Sequence, residues 1–559
     1  MMTLFIRRSG LLALAAVAAF AAFTPAIIRG EDKPEPKTEA APNGAGLLRK
    51  LIDEQDAEKK KPLREGLLKL GVDGVRDAIK NLSFAEADET GKITLDIKNP
   101  DGHTRCNFLR VPGNYDAKKS YPMIVILHGG VFQAEASDAE DFLDFWATQL
   151  GEKWSNEVLL LVPAAQVGMT DPKGAWFFDT GMNNVCHVIS EIKGRYNVDD
   201  DRVFLTGFSD GGAGAYCLAM NRPEPFAGYF PMCGHPMAAA QLGTHCFASN
   251  FKGQKIYAIN GAKDRGIPAA ETEALYKQIN EDGADIKYLI DKQAGHDMSY
   301  AAIEIPRILD DMVGKWTRTR DGASVDWTCD NPQNGRRGWL SVDALADLGD
   351  ANAKITPKLY YQVRLGITLP NDPSKPLDQN SPVIVDTVQK GSTADAMGIK
   401  KDDKIIKLDD TEVSGFGKLR EALTKKHFGD DVTVVVKRGD EEITLKGNFA
   451  LPVNPEKPTI GRVTGKFADG GASLEVYNVS KLSIWATPET AGKGEVTVTI
   501  GGKKTTVALK ADAALLLSEF ERTRDRKQLF TSRGEVDVCK LLGVEPGKKP
   551  TTKPKEEDF

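Results

Sequence analysis

The chain has 559 residues, more than one hydrophobic core usually organises, so we expect at least two domains. Its composition, 41% hydrophobic and 27% charged with a formal net charge of -6, is typical of soluble globular proteins. This charge provides no field that would attract nucleic acid, so we expect no nucleic-acid partner. Seven scattered cysteines without a C-x-x-C pair exclude a zinc knuckle or a disulfide scaffold. An exported protein is permitted one or two bridges, with Cys217, Cys233 and Cys246 as candidates, but spacing does not give their connectivity.

The N-terminus, residues 1–26, has the pattern of a secretory signal peptide. Arg7 and Arg8 precede an apolar run over residues 11–23, and small residues follow where a signal peptidase could cut. The alternative is a membrane anchor, but the run is shorter than the roughly 20 residues that a spanning helix needs. We therefore predict export to the periplasm or the medium. No later stretch predicts a membrane span, so none is expected after signal removal.

The rest of the chain divides by its composition and periodicity. Residues 27–46 are rich in proline, charge and small side chains, which predicts a linker. Leucines at three- and four-residue spacing predict amphipathic helices over 47–87. From 88 to 320, apolar strands alternate with helices, which predicts a mostly parallel sheet with helices on both faces. The later predicted parts are a β-rich domain at 321–350 and 456–540, a separate module at 355–450 and a disordered tail at 544–559.

A candidate nucleophile lies in the middle of the α/β region. Residues 207–211 read Gly-Phe-Ser-Asp-Gly and fit the pattern G-x-S-x-G. They follow the predicted strand RVFLTG and precede a helix of small residues, which is the strand, sharp turn and helix of a nucleophile elbow. The glycines permit a strained turn in which backbone segments approach closely. Ser209 is therefore the predicted nucleophile.

A serine hydroxyl needs a base to take its proton and an acid to orient that base. In this kind of fold the acid and then the histidine follow the serine along the chain. His296, in a turn after the predicted strand IKYLI, meets this requirement, and Asp264 follows the strand KIYAIN at the acid position. The other histidines are excluded by position: three precede Ser209 (His103, His128 and His187), and two precede the next predicted strand (His235 and His245). The last, His427, lies in another module. The alternatives for the acid are Asp282, Asp285, Asp291 and Asp297.

Two backbone N–H groups should stabilise the oxyanion of an acyl-transfer intermediate. The amide of Asp210, directly after the nucleophile, is one candidate. The Gly130 amide, in the His-Gly-Gly run that closes the strand MIVIL, is the other. Trp176, in GAWFFDTG, either lines the substrate cleft or, like many tryptophans beside phenylalanines, lies in the core.

Several blocks between residues 111 and 297 carry a family resemblance. In chain order they include VPGNYDAKKSYPMIVILHGG, DDDRVFLTGFSDGGAGAY, RPEPFAGYFPMCG, INGAKDRGIP and AGHD. Together they resemble secreted α/β-hydrolase esterases related to polyhydroxybutyrate depolymerase and feruloyl esterase. The resemblance implies hydrolysis of a small or polymeric carboxylic ester through an acyl-enzyme, without a metal or another cofactor. The same elbow also serves prolyl-oligopeptidase-like peptidases, so peptide bonds stay open as substrates.

The module at 355–450 resembles a bacterial PDZ domain. Leu365, Gly366 and Ile367 stand where that family has its carboxylate-binding loop, and VQKGSTADAMGIKKDDKIIKLDD follows. The resemblance implies that the loop binds a peptide C-terminus while the peptide adds as a strand. The sequence departs from the family at Asp402, where glycine is usual, and in a longer proline-rich stretch at 370–382. The alternatives are a packing module without a ligand, and a non-catalytic envelope protein that binds through this module.

The expected architecture is thus multidomain: an α/β-hydrolase domain, then a PDZ-like module and a small β-rich domain. We expect the two β-rich pieces to form one domain into which the PDZ-like module is inserted.

Overall fold

The computed structural model describes residues 44–547, with gaps between these limits. The gaps are 88, 132–135, 166–173, 239–244, 320–321, 349–354, 359–362, 371–379, 424, 427–429, 450–458, 469 and 493. The predicted signal peptide, most of the predicted linker and the tail after 547 lie outside the described residues. Among the described residues, none of the helices combines the length and the apolar composition that a bilayer span requires.

Three helices open the described part of the chain: α1 Gly44–Asp53, α2 Ala57–Leu68 and α3 Gly71–Lys80. The first begins at Gly44, so the prediction of a linker up to residue 46 is wrong at its end. Leu48, Leu51 and Leu67 on their apolar faces are buried against a helix near the other end of the chain, Ala513–Thr523. The N-terminal helices therefore gain their stability from packing rather than from their length.

An eight-stranded sheet forms the centre of the next domain. Its strands are β1 Gly91–Lys98, β2 Thr104–Val111, β3 Tyr121–Leu127, β4 Leu159–Val162, β5 Val198–Phe208, β6 Gly228–Met232, β7 Ile256–Gly261 and β8 Ile286–Asp291. They lie in the order β1-β2-β4-β3-β5-β6-β7-β8, and all pairings from β4 through β8 are parallel. The helices are α4 Ala136–Gln149, α5 Gly151–Ser155, α6 Asp179–Arg195, α7 Asp210–Asn221, α8 Ala269–Glu281 and α9 Ala301–Ile308.

Both faces of this sheet are covered, which explains the continuous apolar strands. In β3, Met123 and Val125 belong to one core cluster, whereas Ile124 and Ile126 belong to the cluster on the other face. This mostly parallel sheet, with its strand order and helices on both faces, has the α/β-hydrolase fold and confirms the predicted fold class. Since the carboxyl ends of parallel strands meet at one edge, the loops after β3, β5, β7 and β8 lie near one another.

The chain then continues through β9 Ser324–Cys329, β10 Arg336–Arg337 and β11 Leu340–Leu345 into a smaller module. Its elements are β12 Ile367–Thr368, β13 Thr387–Val388, α10 Thr393–Met397, β14 Lys404–Leu408, β15 Thr411–Glu412, α11 Phe416–Leu423, β16 Asp431–Arg438 and β17 Glu441–Asn448. The strands β15-β14-β16-β17 form one antiparallel sheet, and β12 pairs with β13. The module has a core cluster of its own.

After this module come β18 Gly461–Ala468, β19 Gly471–Tyr477, β20 Val479–Ala486, β21 Glu495–Ile500, β22 Lys503–Ala508, α12 Ala513–Thr523, β23 Ser532–Asp537 and α13 Val538–Leu542. Strand β9 pairs with β18, and β11 pairs with β20, so residues before and after the module share two sheets and one core. A Cβ at Gly461 would contact the Leu345 side chain, which places the two ends of the intervening segment side by side.

Candidate active site

Ser209 lies on the sharp turn between β5 and α7. Its backbone has φ 57° and ψ -118°, a conformation that a non-glycine residue adopts only under strain. Two neighbouring glycines make the turn possible: a Cβ at Gly207 would lie 2.3 Å from the Gly211 oxygen, and one at Gly211 would lie 1.9 Å from the Leu127 oxygen. The Ser209 amide donates to the Met232 oxygen at 3.0 Å. The turn thus presents the hydroxyl at the carboxyl edge of the sheet.

The structure brings the three predicted site residues together. His296 Nε2 lies 2.9 Å from Ser209 Oγ, and His296 Nδ1 lies 2.7 Å from Asp264 Oδ2. Asp264 Oδ1 accepts from the amides of Gly266 and Ile267 at 2.9 and 2.8 Å, which fixes the carboxylate in its loop after β7. Because a carboxylate can only accept, Nδ1 carries the proton and Nε2 is free to accept from the serine hydroxyl.

Burial differs between the two partners of this hydrogen bond. Asp264 is 1% exposed, whereas 38% of the His296 side chain is exposed. The hydrogen bond to Asp264 raises the pKa of His296 above its ordinary value, although partial burial of the ring opposes this. The Phe208 ring lies against the imidazole with 5.0 Å between ring centroids. The imidazole is therefore positioned by Asp264 and Phe208 and open to solvent on another side.

The alternative aspartates lie in structural roles. Asp291 Oδ1 accepts from the amides of Gln293 and Ala294 at 2.8 Å, and Asp297 accepts from the amides of Gly295 and Ser299. These contacts shape the turn that carries the histidine. The carboxylate that accepts from the imidazole Nδ1–H is Asp264.

The loop after β3 lies against Ser209. A Cβ at Gly129 would be 3.1 Å from Ser209 Cβ, and Gly130 has φ 62°. The Val131 amide donates to Asp210 Oδ2 at 3.2 Å, so the loop is tied to the first residue of α7. The two predicted oxyanion donors, the amides of Gly130 and Asp210, are thus on segments that adjoin the serine.

Two buried side chains hold this loop, and sequence reasoning missed both roles. His128 Nε2 accepts from the Ala165 amide at 3.1 Å, so its proton is on Nδ1, which lies 2.9 Å from the Gly129 oxygen. Burial lowers the pKa of His128, which keeps the ring neutral. Trp176 Nε1 donates to the His128 oxygen at 3.0 Å, and Trp176 is 1% exposed. Of the two alternatives for Trp176, the structure supports the core position, since the side chain anchors the loop from inside the core.

Cys233 lies behind the hydrogen-bonded pair of Asp264 and His296. Its Sγ is 3.6 Å from the Tyr300 hydroxyl, and burial raises the pKa of the thiol to about 11. Among the described residues, Cys233, Asp264 and His296 form a group whose possible metal-ligand atoms lie within 4.8 Å of one another. Two of these groups are already hydrogen bonded to each other and the third is a protonated thiol, so the arrangement fits a serine site.

The candidate cysteine bridges are absent. All seven cysteines lie among the described residues, and each is a free thiol, including Cys217, Cys233 and Cys246. The bridges that export would permit are therefore not formed in this structure.

The predicted carboxylate-binding loop of the second module precedes and enters β12. Leu365 is buried, and Gly366 has φ 81°. A Cβ at Gly366 would lie 2.2 Å from the Cβ of Ser392, so only glycine fits at this position. The amide of Ala394 donates to the Leu365 oxygen at 2.8 Å, which ties the loop to α10. Asp402, at the usual glycine position, has φ 67°, a left-handed conformation that aspartate tolerates better than most residues.

The α/β-hydrolase fold with this serine, histidine and aspartate geometry defines the first domain. Residues 363–447 match the family model of the PDZ domain, which confirms that the second module is a PDZ domain. The chain is 27% identical over 148 residues to poly(3-hydroxyalkanoate) depolymerase C of Paucimonas lemoignei. That match covers 25% of this chain and 34% of the depolymerase, so this chain spans about a third of the relative's length. The predicted resemblance to this class of esterase is confirmed.

Solved structures with esterase names also resemble the first domain. A thermostable esterase is 20% identical, covers 41% of this chain and 63% of its own, and has a TM-score of 0.34. A ferulic acid esterase is 15% identical, covers 40% of this chain and 98% of its own, and has a TM-score of 0.32. These TM-scores are too low to assign the fold. The assignment depends on the strand order of the sheet and on the turn at Ser209.

Proposed function

We propose that this chain is an exported serine hydrolase that cleaves carboxylic esters through an acyl-enzyme. Ser209 is the nucleophile, His296 the general base and Asp264 the acid that orients it. The observation that carries the proposal is the pair of hydrogen bonds, 2.9 and 2.7 Å, from the serine hydroxyl through one imidazole to a buried carboxylate. The strained backbone at Ser209 supports it, because such strain is concentrated at functional sites.

The first half-reaction forms the acyl-enzyme. The Ser209 oxygen attacks the ester carbonyl carbon while its proton moves to His296 Nε2. The amides of Gly130 and Asp210 donate to the oxyanion of the tetrahedral intermediate. When the carbon–oxygen bond of the ester breaks, His296 returns its proton to the departing alkoxide, and the alcohol leaves.

Water completes the cycle at the same groups. His296 takes a proton from water as the hydroxyl attacks the acyl carbon, and the second tetrahedral intermediate uses the same two amides. The imidazolium then protonates Ser209 as the acid product departs. Asp264 stays ionised throughout, and its hydrogen bond stabilises the imidazolium that each half-reaction forms.

The similarity to a poly(3-hydroxyalkanoate) depolymerase supports esters of hydroxyacids, small or polymeric, as the substrate class. The pattern of residues 1–26 supports export to the periplasm or the medium. The match of residues 363–447 to PDZ domains supports a second proposed role, the binding of a peptide C-terminus at Leu365, Gly366 and Ile367.

Covalent labelling with a fluorophosphonate probe tests the proposal directly. We expect the wild-type chain to label and Ser209→Ala to remain unlabelled, because the probe reacts only with an activated serine. Turnover of short acyl esters should exceed turnover of matched amides. A wild-type chain that does not label would refute the catalytic role, and faster cleavage of the amides would instead identify a peptidase.

A further inference from the structure

The PDZ domain and the segment that precedes it contact the two ends of one helix of the hydrolase domain. Arg420 on α11 pairs with Glu271 in the first turn of α8, with Nε 2.9 Å from one carboxylate oxygen and Nη2 3.1 Å from the other. Lys358 pairs with Asp282 at the other end of α8 at 2.9 Å. The contact of Arg420 is bidentate, and the Glu271 side chain is 8% exposed. It is therefore an oriented contact rather than a loose surface pair.

Arg420 lies on the face of α11 that does not enter the PDZ core. Leu419 and Ala422 are buried in that core. Phe416 and Leu423 are partly buried and pack against that core, whereas the Arg420 guanidinium extends to Glu271. In PDZ domains a peptide binds as an added strand on the module, and a cationic side chain on a helix of the module suits an acidic residue of such a ligand.

The segment that leads into the carboxylate-binding loop converges on the same glutamate. Arg364 directly precedes Leu365, and its pKa is lowered by partial burial and by the charge of Arg420, while Glu271 raises it. Burial and the charges of Arg420 and Arg364 also lower the pKa of His235, in the hydrolase domain, to about 4. Two cationic side chains of the PDZ domain, one beside its loop and one on its helix, therefore act on one carboxylate of the hydrolase domain.

We propose that Glu271 occupies, within the same chain, the position of an acidic side chain of a PDZ ligand, and that the partner is a peptide C-terminus with acidic residues upstream of an apolar last residue. The inference rests on the proposed peptide-binding role of Leu365, Gly366 and Ile367. The Nε and Nη2 edge of Arg420 is already taken by Glu271, so a peptide carboxylate must displace Glu271 to use it. The ion pair thus lowers the apparent affinity for acidic peptides and favours ligands acidic enough to compete.

The test is a fluorescence anisotropy titration of the full-length chain with a fluorescein-labelled decapeptide. The peptide carries three glutamates upstream of a C-terminal valine, and a matched peptide carries glutamines instead. We expect Glu271→Gln to bind the acidic peptide roughly tenfold more tightly than wild type, and the glutamine peptide no more than about twofold more tightly. Arg420→Gln should remove the preference for the acidic peptide.

Glu273→Gln is the matched control, because Glu273 lies on the same helix and pairs with Lys277 instead. It should bind both peptides as the wild type does. Equal affinity of wild type and Glu271→Gln for the acidic peptide would overturn the inference. The peptide-binding role itself would fail if an amidated C-terminus bound as well as a free one, or if neither bound, and neither result bears on ester hydrolysis.

Discussion

Replacing Asp264 by asparagine tests the catalytic assignment most sharply, because the surrounding contacts dictate how the new side chain must lie. The amides of Gly266 and Ile267 donate to Oδ1 at 2.9 and 2.8 Å, so the asparagine oxygen must stay in that position. Its NH2 group then replaces Oδ2, 2.7 Å from His296 Nδ1. An NH2 group can only donate, so Nδ1 has to become the acceptor and the imidazole proton moves to Nε2.

The consequence falls on Ser209. An imidazole protonated at Nε2 donates to the serine oxygen and cannot take its proton. A histidine held in the wrong tautomer costs roughly 10³- to 10⁴-fold in kcat. At about 1.36 kcal/mol for each factor of ten, this corresponds to about 4 to 5.5 kcal/mol of lost transition-state stabilisation. The fold should persist, because the asparagine retains both backbone hydrogen bonds and is uncharged in a buried position.

The assay is the hydrolysis of a p-nitrophenyl ester, with thermal unfolding followed by circular dichroism to establish that each variant is folded. Asp297→Asn is the matched control, since Asp297 is a neighbouring carboxylate that accepts from the amides of Gly295 and Ser299. We expect this control to keep more than a tenth of the wild-type kcat. The reasoning is refuted if Asp264→Asn keeps that much activity, or if Asp297→Asn loses as much as Asp264→Asn.

Three further predictions follow from the same contacts. Because the pKa of His296 is raised, the imidazole becomes protonated, and ceases to be a base, at a higher pH than an ordinary histidine does. As pH falls, kcat/KM should therefore decline with an apparent pKa above that of an ordinary histidine. An apparent pKa below the ordinary value would contradict the assignment. Trp176→Phe removes the Nε1–H that donates to the buried His128 carbonyl at 3.0 Å. It should lower the free energy of unfolding by about 1 to 3 kcal/mol and reduce kcat more than it changes KM. An unchanged denaturant unfolding curve would contradict the anchoring role of Trp176. Replacing 355–450 by a short linker should leave one cooperative thermal transition and fluorophosphonate labelling intact, whereas an insoluble product or two transitions would show that the flanking strands do not form one domain.

The clustering of Ser209, Asp264 and His296 could be predicted from sequence because their positions depend on local signals. Each follows a strongly apolar strand, and the carboxyl ends of parallel strands share one edge of the sheet. The order serine, acid, histidine then selected Asp264 and His296 among many candidates. The nucleophile turn was also readable, since the glycines at 207 and 211 are required by backbone contacts within a few residues.

The role of Trp176 could not be read in the same way. An aromatic residue beside two phenylalanines has the same pattern whether it lines a cleft or lies in the core, and its hydrogen bond to His128 joins residues 48 positions apart. The contact between Arg420 and Glu271 joins two domains, and the sequence has no periodic pattern that would indicate it. Thiol pairing likewise depends on geometry that spacing does not contain.

Buried ion pairs join the hydrolase domain to a segment near the C-terminal end of the described chain. Asp200 pairs with Lys193 at 2.9 Å and with Arg526 at 3.1 Å, and it is fully buried. Arg318 pairs with Asp525 at 2.5 Å, again with both side chains largely buried. Without Arg526, Asp200 would keep Lys193 as its ion-pair partner, and without Asp525, Arg318 would keep Asp201 at 3.6 Å. Either loss therefore weakens a buried network of charges. Because this network includes Asp525 and Arg526, the α/β domain that carries the site is coupled through buried charges to the C-terminal segment.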